Sequence, residues 1–294
     1  MPLVSIIVPT FNSKAHLSKL CESILNQTFE NYEVIIIDNN SQDNTPLEIK
    51  KIIKNDNRFK FYNIDNDGVI GKSRNYGIKK ALGKYIAFHD SDDYWSAKKI
   101  EICLQYLTHN DFTYHHLKIQ NQNNFYLNNK KLFSYQLSKK PFIDLLTIGN
   151  PISTSSVICK KSIFNDDTFF SEEKRFISIE DYDCWVNLSK NNCKFKEIPI
   201  VLGKYFMGPL NTSTTIKKYN NYRIFHILNN NQYLLNYKNK KFAKNHFRYL
   251  FANDLKKTKI KYSIYYYLFF QKKIKISKIK ILLKIIITYL KKII

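Results

Sequence analysis

"YIAFHDSDDYW", residues 85–95, begins with four apolar or aromatic residues that read as a buried strand and then sets Asp90, Asp92 and Asp93 in one short loop. Like charges held together raise one another's pKa and work against the fold, so the cluster asks what it is there to hold. Upstream, β-branched apolar runs alternate with amphipathic stretches at helical spacing, the signature of a βαβ series with a parallel sheet. The pattern predicts strands Leu3 to Val8, Tyr32 to Asp38, Phe59 to Ile64 and Tyr85 to His89, separated by helices Lys14 to Asn26, Thr45 to Asn55 and Lys72 to Leu82. Asn12 or Ser13 can cap the first helix, Asp43 and Asn44 precede Pro46 in the second, and Asp67-Gly68 leads into the third.

In open sheets of this kind ligands bind beyond the carboxyl ends of the strands. The residues that close these strands are polar: Thr10 to Asn12, Asp38 to Asn40, Asp65 to Asp67 and Asp90 to Asp93. Any one of them is ordinarily a turn residue, but four such loops converge on one edge. Asp90-Ser91-Asp92 is enough protein for Mg²⁺ or Mn²⁺ when diphosphate oxygens fill the remaining positions. The plain alternative is that Asp92 or Asp93 caps a helix starting near Ser96.

Beyond the helix expected over Ala97 to Thr108 the pattern changes. "DFTYHHLKIQ" (111–120) and "FYLNN" (125–129) read as short antiparallel strands, and "FIDLLTIGN" (142–150) as a helix. "STSSVICKKSIF" (153–164) reads as a strand with a turn, "SIEDYDCWVNLSKNN" (178–192) as a helix with acids at its start, and "KFKEIPIVLGKYFM" (194–207) as one or two strands. No Pro-, Gly- or Ser-rich linker separates this part from the first, so the two should pack together.

"VSIIVPTFN" (4–12), "NQTFENYEVIIIDNNSQDNT" (26–45), "NDGVIGKSRNYGIKKALGKYIAFHDSDDYW" (66–95) and "SIEDYDCWVNL" (178–188) resemble, in order, the motifs of glycosyltransferase family 2, the inverting enzymes of GT-A fold that use nucleotide-sugar donors. The resemblance is dense over residues 3 to about 95 and looser over about 150 to 205. It implies an α/β fold, a Rossmann-like and mostly parallel sheet flanked by helices. The implied halves are 1–98 for the nucleotide-sugar and 99–215 for acceptor and base. Thr10, Phe11 and Asn12 fall where the family's first loop lies against the nucleotide, and Asp38 with Asn39 where it grips the base. The second of these is often Asp in relatives, and Asn39 retains an amide oxygen that can accept the uracil N3 proton. Arg74 matches an arginine near the donor, whose plain alternative is a solvated helix charge. Asp90 and Asp92 take the metal-binding positions, with Asp92 the direct ligand of Mn²⁺ or Mg²⁺, Asp90 nearer the ribose or the donor sugar, and Ser91 between them. Asp181 matches the base and Glu180 its support; alternatively these acids only favour a helix N-terminus. Trp185 is expected in the core, and His89, His115 and His116 carry no assignment.

The charge is unevenly spread. Residues 1–215 carry 27 Lys+Arg against 23 Asp+Glu, whereas residues 216–294 carry 20 against the single Asp254. In "KKIKISKIKILLKIIITYLKKII" (272–294), Lys273, Lys280, Lys284 and Lys291 share one helical stripe among isoleucines and leucines. This reads as a basic helical C-terminal extension lying on an anionic membrane surface, its apolar run from Ile285 to Leu290 being far short of the roughly 20 residues a spanning helix needs. Packing on the catalytic domain, or an edge strand over "KIKISKIKI", are the alternatives. Nucleic acid is not expected as a partner, since its motifs are absent. The five cysteines show no metal-ligand spacing, and "LVSIIVPTF" is too short and uncharged for a secretory signal, which points to reduced thiols in the cytoplasm, at the inner face of the membrane.

The combined expectation is transfer of a sugar, with inversion, from a UDP-hexose or UDP-N-acetylhexosamine to a glycan or lipid-linked acceptor in surface polysaccharide synthesis. The rivals are a sugar-phosphate nucleotidyltransferase, which would need a glycine-rich phosphate loop that "PTFNSKAH" lacks, and an inactive membrane-attached scaffold of the same fold.

Overall fold

The computed structural model describes residues 1–54, 56–121 and 128–208. The basic tail, with its expected helix and membrane-facing stripe, and residues 125–127 of the second short strand expected after the switch of pattern, lie outside the described residues. In chain order the elements are β1 (Val4–Thr10), α1 (Leu17–Leu25), β2 (Tyr32–Asp38), α2 (Thr45–Ile53), β3 (Phe59–Asn63), α3 (Ile70–Lys80) and β4 (Tyr85–Phe88). There follow β5 (Tyr94–Trp95), α4 (Lys99–Tyr106), β6 (Phe112–Gln120), α5 (Pro141–Thr147), β7 (Ile158–Lys160), α6 (Glu180–Lys190) and β8 (Phe195–Phe206).

These strands form one sheet in the order β3-β2-β1-β4-β7-β6-β8-β5. It is parallel from β3 to β4, antiparallel at β4–β7, β7–β6 and β8–β5, and parallel again at β6–β8. Four of the seven pairings are parallel, three of them in the first half, as expected of a mostly parallel sheet; the long β6 pairs with β8 in parallel and also makes an antiparallel bridge, Lys118 to Lys131, with the segment that follows it. β1 and β2 are buried at every position, as strands covered on both faces must be. One face carries α1, α2 and α4 through Leu17, Leu20, Ile24, Ile49, Ile100 and Cys103. α3 covers the other: a Cβ on Gly77 would lie 2.6 Å from Ile7 Cγ2, so the absent side chain is what lets this helix approach β1.

The chain runs outward from β1 through β2 to β3 and then returns to β4 on the other side of β1. That reversal opens a crevice at the carboxyl ends of β1 and β4, where sheets of this kind bind ligands. Among the described residues no helix is long and apolar enough to cross a membrane. All five cysteines are buried and free.

Candidate functional site

The loops after β1, β2 and β3 are knitted by their own polar side chains. Asp38 is fully buried, and its carboxylate accepts the Thr10 hydroxyl at 3.0 Å, the Ser41 hydroxyl at 2.6 Å and the Ser41 N–H at 2.8 Å. The Asn39 N–H reaches the Thr10 carbonyl at 2.9 Å, so the first two loops form one unit. Asn12 adopts φ 47°, a left-handed conformation that asparagine tolerates, and its amide oxygen accepts the Gln42 N–H at 2.9 Å. The helix-capping role expected of Asn12 or Ser13 is not found: α1 begins at Leu17 behind His16, because Asn12 and Ser13 spend their side chains between loops. Between them, the Phe11 ring stands 56% exposed at the mouth of the crevice. The Asn39 amide oxygen accepts the Asn66 N–H at 2.9 Å, which leaves one lone pair of that oxygen for a base.

The loop after β4 closes the other side of the crevice. Ser91 Oγ meets Ser13 Oγ at 2.8 Å, joining it to the first loop. Asp90 accepts Arg74 at 2.9 Å, and its N–H is taken by Ser155 Oγ at 2.8 Å. Asp93 is buried and accepts the Phe206 N–H at 2.8 Å, and α4 begins behind Lys98 without a side-chain cap, so neither Asp92 nor Asp93 serves as the helix cap. Asp92 makes no hydrogen bond or ion pair to another described residue. Burial first, and Asp90 second, push its carboxyl up to about 6. Among the described residues no cluster of three or more His, Cys, Asp and Glu stands ready to cage a metal. The donor set is one or two hard carboxylates facing an open crevice, and it fits a small divalent cation that draws its other ligands from water and a diphosphate. Such a cation would also relieve the repulsion between Asp90 and Asp92.

The plain alternative for Arg74, a solvated helix charge, does not hold. Its side chain is instead only 4% exposed, forked between Glu180 Oε1 and Asp90 Oδ1, each at 2.9 Å, with its guanidinium over the Phe170 ring. Burial opposes its charge, but Asp90, Glu180 and Asp181 together outweigh burial and hold its pKa above the ordinary arginine value. This pairing needs α3 to lie close to residues 170–171, and Gly71 permits it: a Cβ there would sit 2.5 Å from the Ser171 carbonyl oxygen. Gly71→Ala should therefore destabilise the protein by about 1–3 kcal/mol in urea unfolding, despite the better helix propensity of alanine. An unchanged or raised midpoint would show that residues 170–171 can give way.

α6 begins at Glu180 with Glu180, Asp181 and Asp183 in its first turn, where the helix dipole favours acids. That alternative reading is thus also satisfied, but it does not account for the environment. The second oxygen of Glu180 is buried without a partner among the described residues. Asp181 accepts the Tyr182 N–H at 2.6 Å and the Thr154 hydroxyl at 3.2 Å. Burial, and then Glu180, push its carboxyl up to about 7, against Arg74 and these two hydrogen bonds. A carboxylate poised there can exchange a proton near neutral pH.

The site residues named from sequence thus gather in two groups, Thr10 to Asn39 and Ser91 on one side and Asp90 to Asp181 on the other, with Arg74 joining Asp90 to Glu180. Thr154 and Ser155 carry no sequence expectation, Ser13 is expected only as a helix cap, and Asn66 only as part of the loop 65–67. Ser and Asn in loops carry no local signal beyond turn formation, and their partners lie far away in sequence. Trp185 is fully buried against Phe88, Phe112 and Phe170, as expected of a core residue. His89 is fully buried and stacked on Trp95, and burial lowers its pKa to about 3, so it is a neutral structural group.

The sequence model of the family described as Glycosyl transferase family 2 matches residues 5–166. An uncharacterized glycosyltransferase of Rickettsia felis is 34% identical over 64% of this chain, and the chain spans 30% of that relative's length. The Escherichia coli protein WfgD, a UDP-Glc:alpha-D-GlcNAc-diphosphoundecaprenol beta-1,3-glucosyltransferase, is 30% identical over 65% of this chain and 71% of its own. Among solved structures, S. aureus TarS 1–349 in complex with UDP-GlcNAc superposes with a TM-score of 0.60 at 23% identity, over 77% of this chain and 67% of that one. The architecture is that of the GT-A fold.

Proposed function

This chain belongs to glycosyl transferase family 2, and from that premise we propose that it transfers a hexose or N-acetylhexosamine, with inversion, from a UDP-sugar to a glycan or lipid-linked acceptor in surface polysaccharide synthesis. The observation that carries the reading is the fork of Arg74: one buried guanidinium joins Asp90, in the loop suited to a diphosphate-bound cation, to Glu180, the neighbour of a carboxyl poised near neutrality. The two ends of a displacement at a sugar carbon are thereby tied together. WfgD, whose name gives a UDP-glucose donor and a diphosphoundecaprenol-linked acceptor, supports the substrate classes, and TarS in complex with UDP-GlcNAc supports the nucleotide.

In this mechanism Thr10, Phe11, Asn12, Asp38 and Asn39 hold the nucleoside, with Phe11 offering its exposed ring. Asp92, and Asp90 beside it, would hold Mn²⁺ or Mg²⁺, which when bound supplies Lewis-acid stabilisation of the departing diphosphate. Asp181 removes the proton of the acceptor hydroxyl as that oxygen attacks C1 from the face opposite the diphosphate, and inversion follows from that geometry. Glu180, paired with Arg74, anchors the first turn of α6, which carries Asp181. The basic segment 216–294, with 20 Lys+Arg against one acid, fits attraction to an anionic membrane where a lipid-linked acceptor resides.

The test is a panel of UDP-sugars scored by hydrolysis and by thermal stabilisation, together with UDP binding measured with Mn²⁺ and with chelator. At least one UDP-sugar should be hydrolysed, and Asp92→Asn should abolish the Mn²⁺-dependent part of UDP affinity while leaving the unfolding midpoint unharmed. UDP affinity that is the same with Mn²⁺ and with chelator would sink the metal assignment; a panel with no hydrolysis and no stabilisation would sink the donor class.

A further inference from the structure

Between the two carboxylate groups lies a single helical turn, Thr154–Ser156, that leads into β7. Its shape is closed from within: the Ser156 hydroxyl donates to the Ser153 carbonyl at 2.6 Å, the Ser156 N–H to the same carbonyl at 2.9 Å, and the Val157 N–H to the Thr154 carbonyl at 3.0 Å. It is fixed to the sheet as well, because the Phe88 N–H reaches the Val157 carbonyl and Ala87 pairs with Ile158. The turn is therefore in register with the strand that carries the Asp90 loop.

Two adjacent residues of this turn reach in different directions. Ser155, fully buried, accepts the Asp90 N–H on its hydroxyl at 2.8 Å, while its carbonyl accepts Trp95 Nε1 at 2.9 Å and Lys99 Nζ at 2.7 Å. Lys99 is itself fully buried beneath the Trp95 ring, so the carbonyl of Ser155 is held by two donors that cannot swing away. Thr154, 5% exposed, donates its hydroxyl to Asp181 Oδ2 at 3.2 Å. A shift of the turn would move the Asp181 carboxylate and the Asp90 main chain together, and a change in one residue would release only one of them.

We propose that the Thr154–Ser155 turn is a positioning element that fixes the span between Asp181 and the Asp90 loop, Thr154 by donating to the ionised Asp181 and Ser155 by accepting the Asp90 N–H. This deepens the reading of Asp181 as the base and rests on it. Neither residue touches the reacting atoms. Their effect is to hold a carboxylate in its anionic form at one end and a main-chain loop at the other.

The charged and titratable groups around Asp181 are Glu180, Asp183 and Cys184 on its own helix and Arg74 on α3, with Asp90 beyond Arg74. α5, packed against α6, contributes Asp144, whose carboxylate accepts the Ser138 N–H at 2.6 Å. A change at Thr154 alters none of these charges, so the effect on Asp181 can be read by itself. A hydrogen bond donated to a carboxylate favours the anion, so its loss raises the pH at which Asp181 ionises.

The test uses the full chain labelled at aspartate carboxyl carbons and titrated by NMR, with the Asp181 signal assigned by its disappearance in Asp181→Asn. Thr154→Val should raise the midpoint by about one pH unit, a tenfold drop in the ionised fraction below it, and Thr154→Ser should return it. Thr154→Ala, a smaller change should the valine variant not fold, carries the same expectation. The acidic limb of kcat/KM for the UDP-sugar hydrolysed fastest in the panel should move by the same amount. Ser155→Ala should leave the Asp181 midpoint in place and weaken binding of UDP with Mn²⁺ about tenfold. An Asp181 midpoint unmoved by loss of the Thr154 hydroxyl, or not restored by serine, overturns the proposal. A midpoint that moves while the rate limb stays fixed upholds the contact and overturns Asp181 as the base.

Discussion

Asp181→Asn should lower sugar transfer by about 10²- to 10⁴-fold, the scale for losing a positioned base, while UDP with Mn²⁺ binds within about twofold of the parent. Asparagine keeps the shape of the side chain. Its amide oxygen can still accept the Thr154 hydroxyl or the Tyr182 N–H that the carboxylate accepts now, so the turn and the helix start are left standing. What it cannot do is take a proton. Because Glu180 opposes the charge of Asp181, the neutral variant should be no less stable than the parent, and its unfolding midpoint separates lost chemistry from lost fold. In the parent, activity depends on the ionised form, so turnover should rise with pH through about 7, and this limb should be missing from the residual activity of the variant. If Asp181→Asn turns over like the parent, the base lies elsewhere. Glu180 and Asp183 are next in line, although Glu180 is committed to Arg74 and Asp183 accepts the Asn187 amide.

Much of this site could be read from the chain because its first half is built from local rules. Strands buried on both faces are written as unbroken apolar runs, such as "VIII" at 34–37, and the polar residue closing each strand marks the same edge of the sheet four times. The helices had the right order, though boundaries moved: α3 begins at Ile70 rather than Lys72, and β1 extends to Thr10 rather than Val8. The second half resisted for a physical reason. β6 finds its parallel partner β8 across more than seventy residues, and the two-residue β5 exists only because β8 passes beside it. Pairings of that range depend on which surfaces remain after the first half has formed, and no periodicity records them. The same holds in the site. The acids of "DSDD" and "IED" announce themselves, but nothing near Thr154 or Ser155 says that "STSS" stands between them. Asn12 and Ser13 show the converse error: good capping residues in a good capping place, drawn off by neighbours 30 and 78 positions away.

Arg74→Met should destabilise the protein by about 3–5 kcal/mol, the usual consequence of removing one partner of a buried ion pair. The methionine fills much the same volume and can still pack on Phe170, so the loss is chiefly electrostatic. Glu180 is the sensitive partner: its side chain is 7% exposed, against 25% for Asp90, which can recover water. Without the guanidinium, Glu180 is left as a buried charge with one oxygen already unpartnered and Asp181 next to it. Arg74→Lys should recover only part of the loss, because one ammonium nitrogen does not reproduce the planar fork in which two separate guanidinium nitrogens reach Glu180 and Asp90 at 2.9 Å each. The double variant Arg74→Met/Glu180→Gln distinguishes this account from a packing defect. Removing the stranded charge should restore about 2 kcal/mol or more in urea unfolding, yet transfer should stay low, since Asp90 and the start of α6 are no longer joined. Equal instability of the single and double variants would mean that Arg74 supports the fold through packing on Phe170, and the link it makes between the two carboxylate groups would lose its energetic basis.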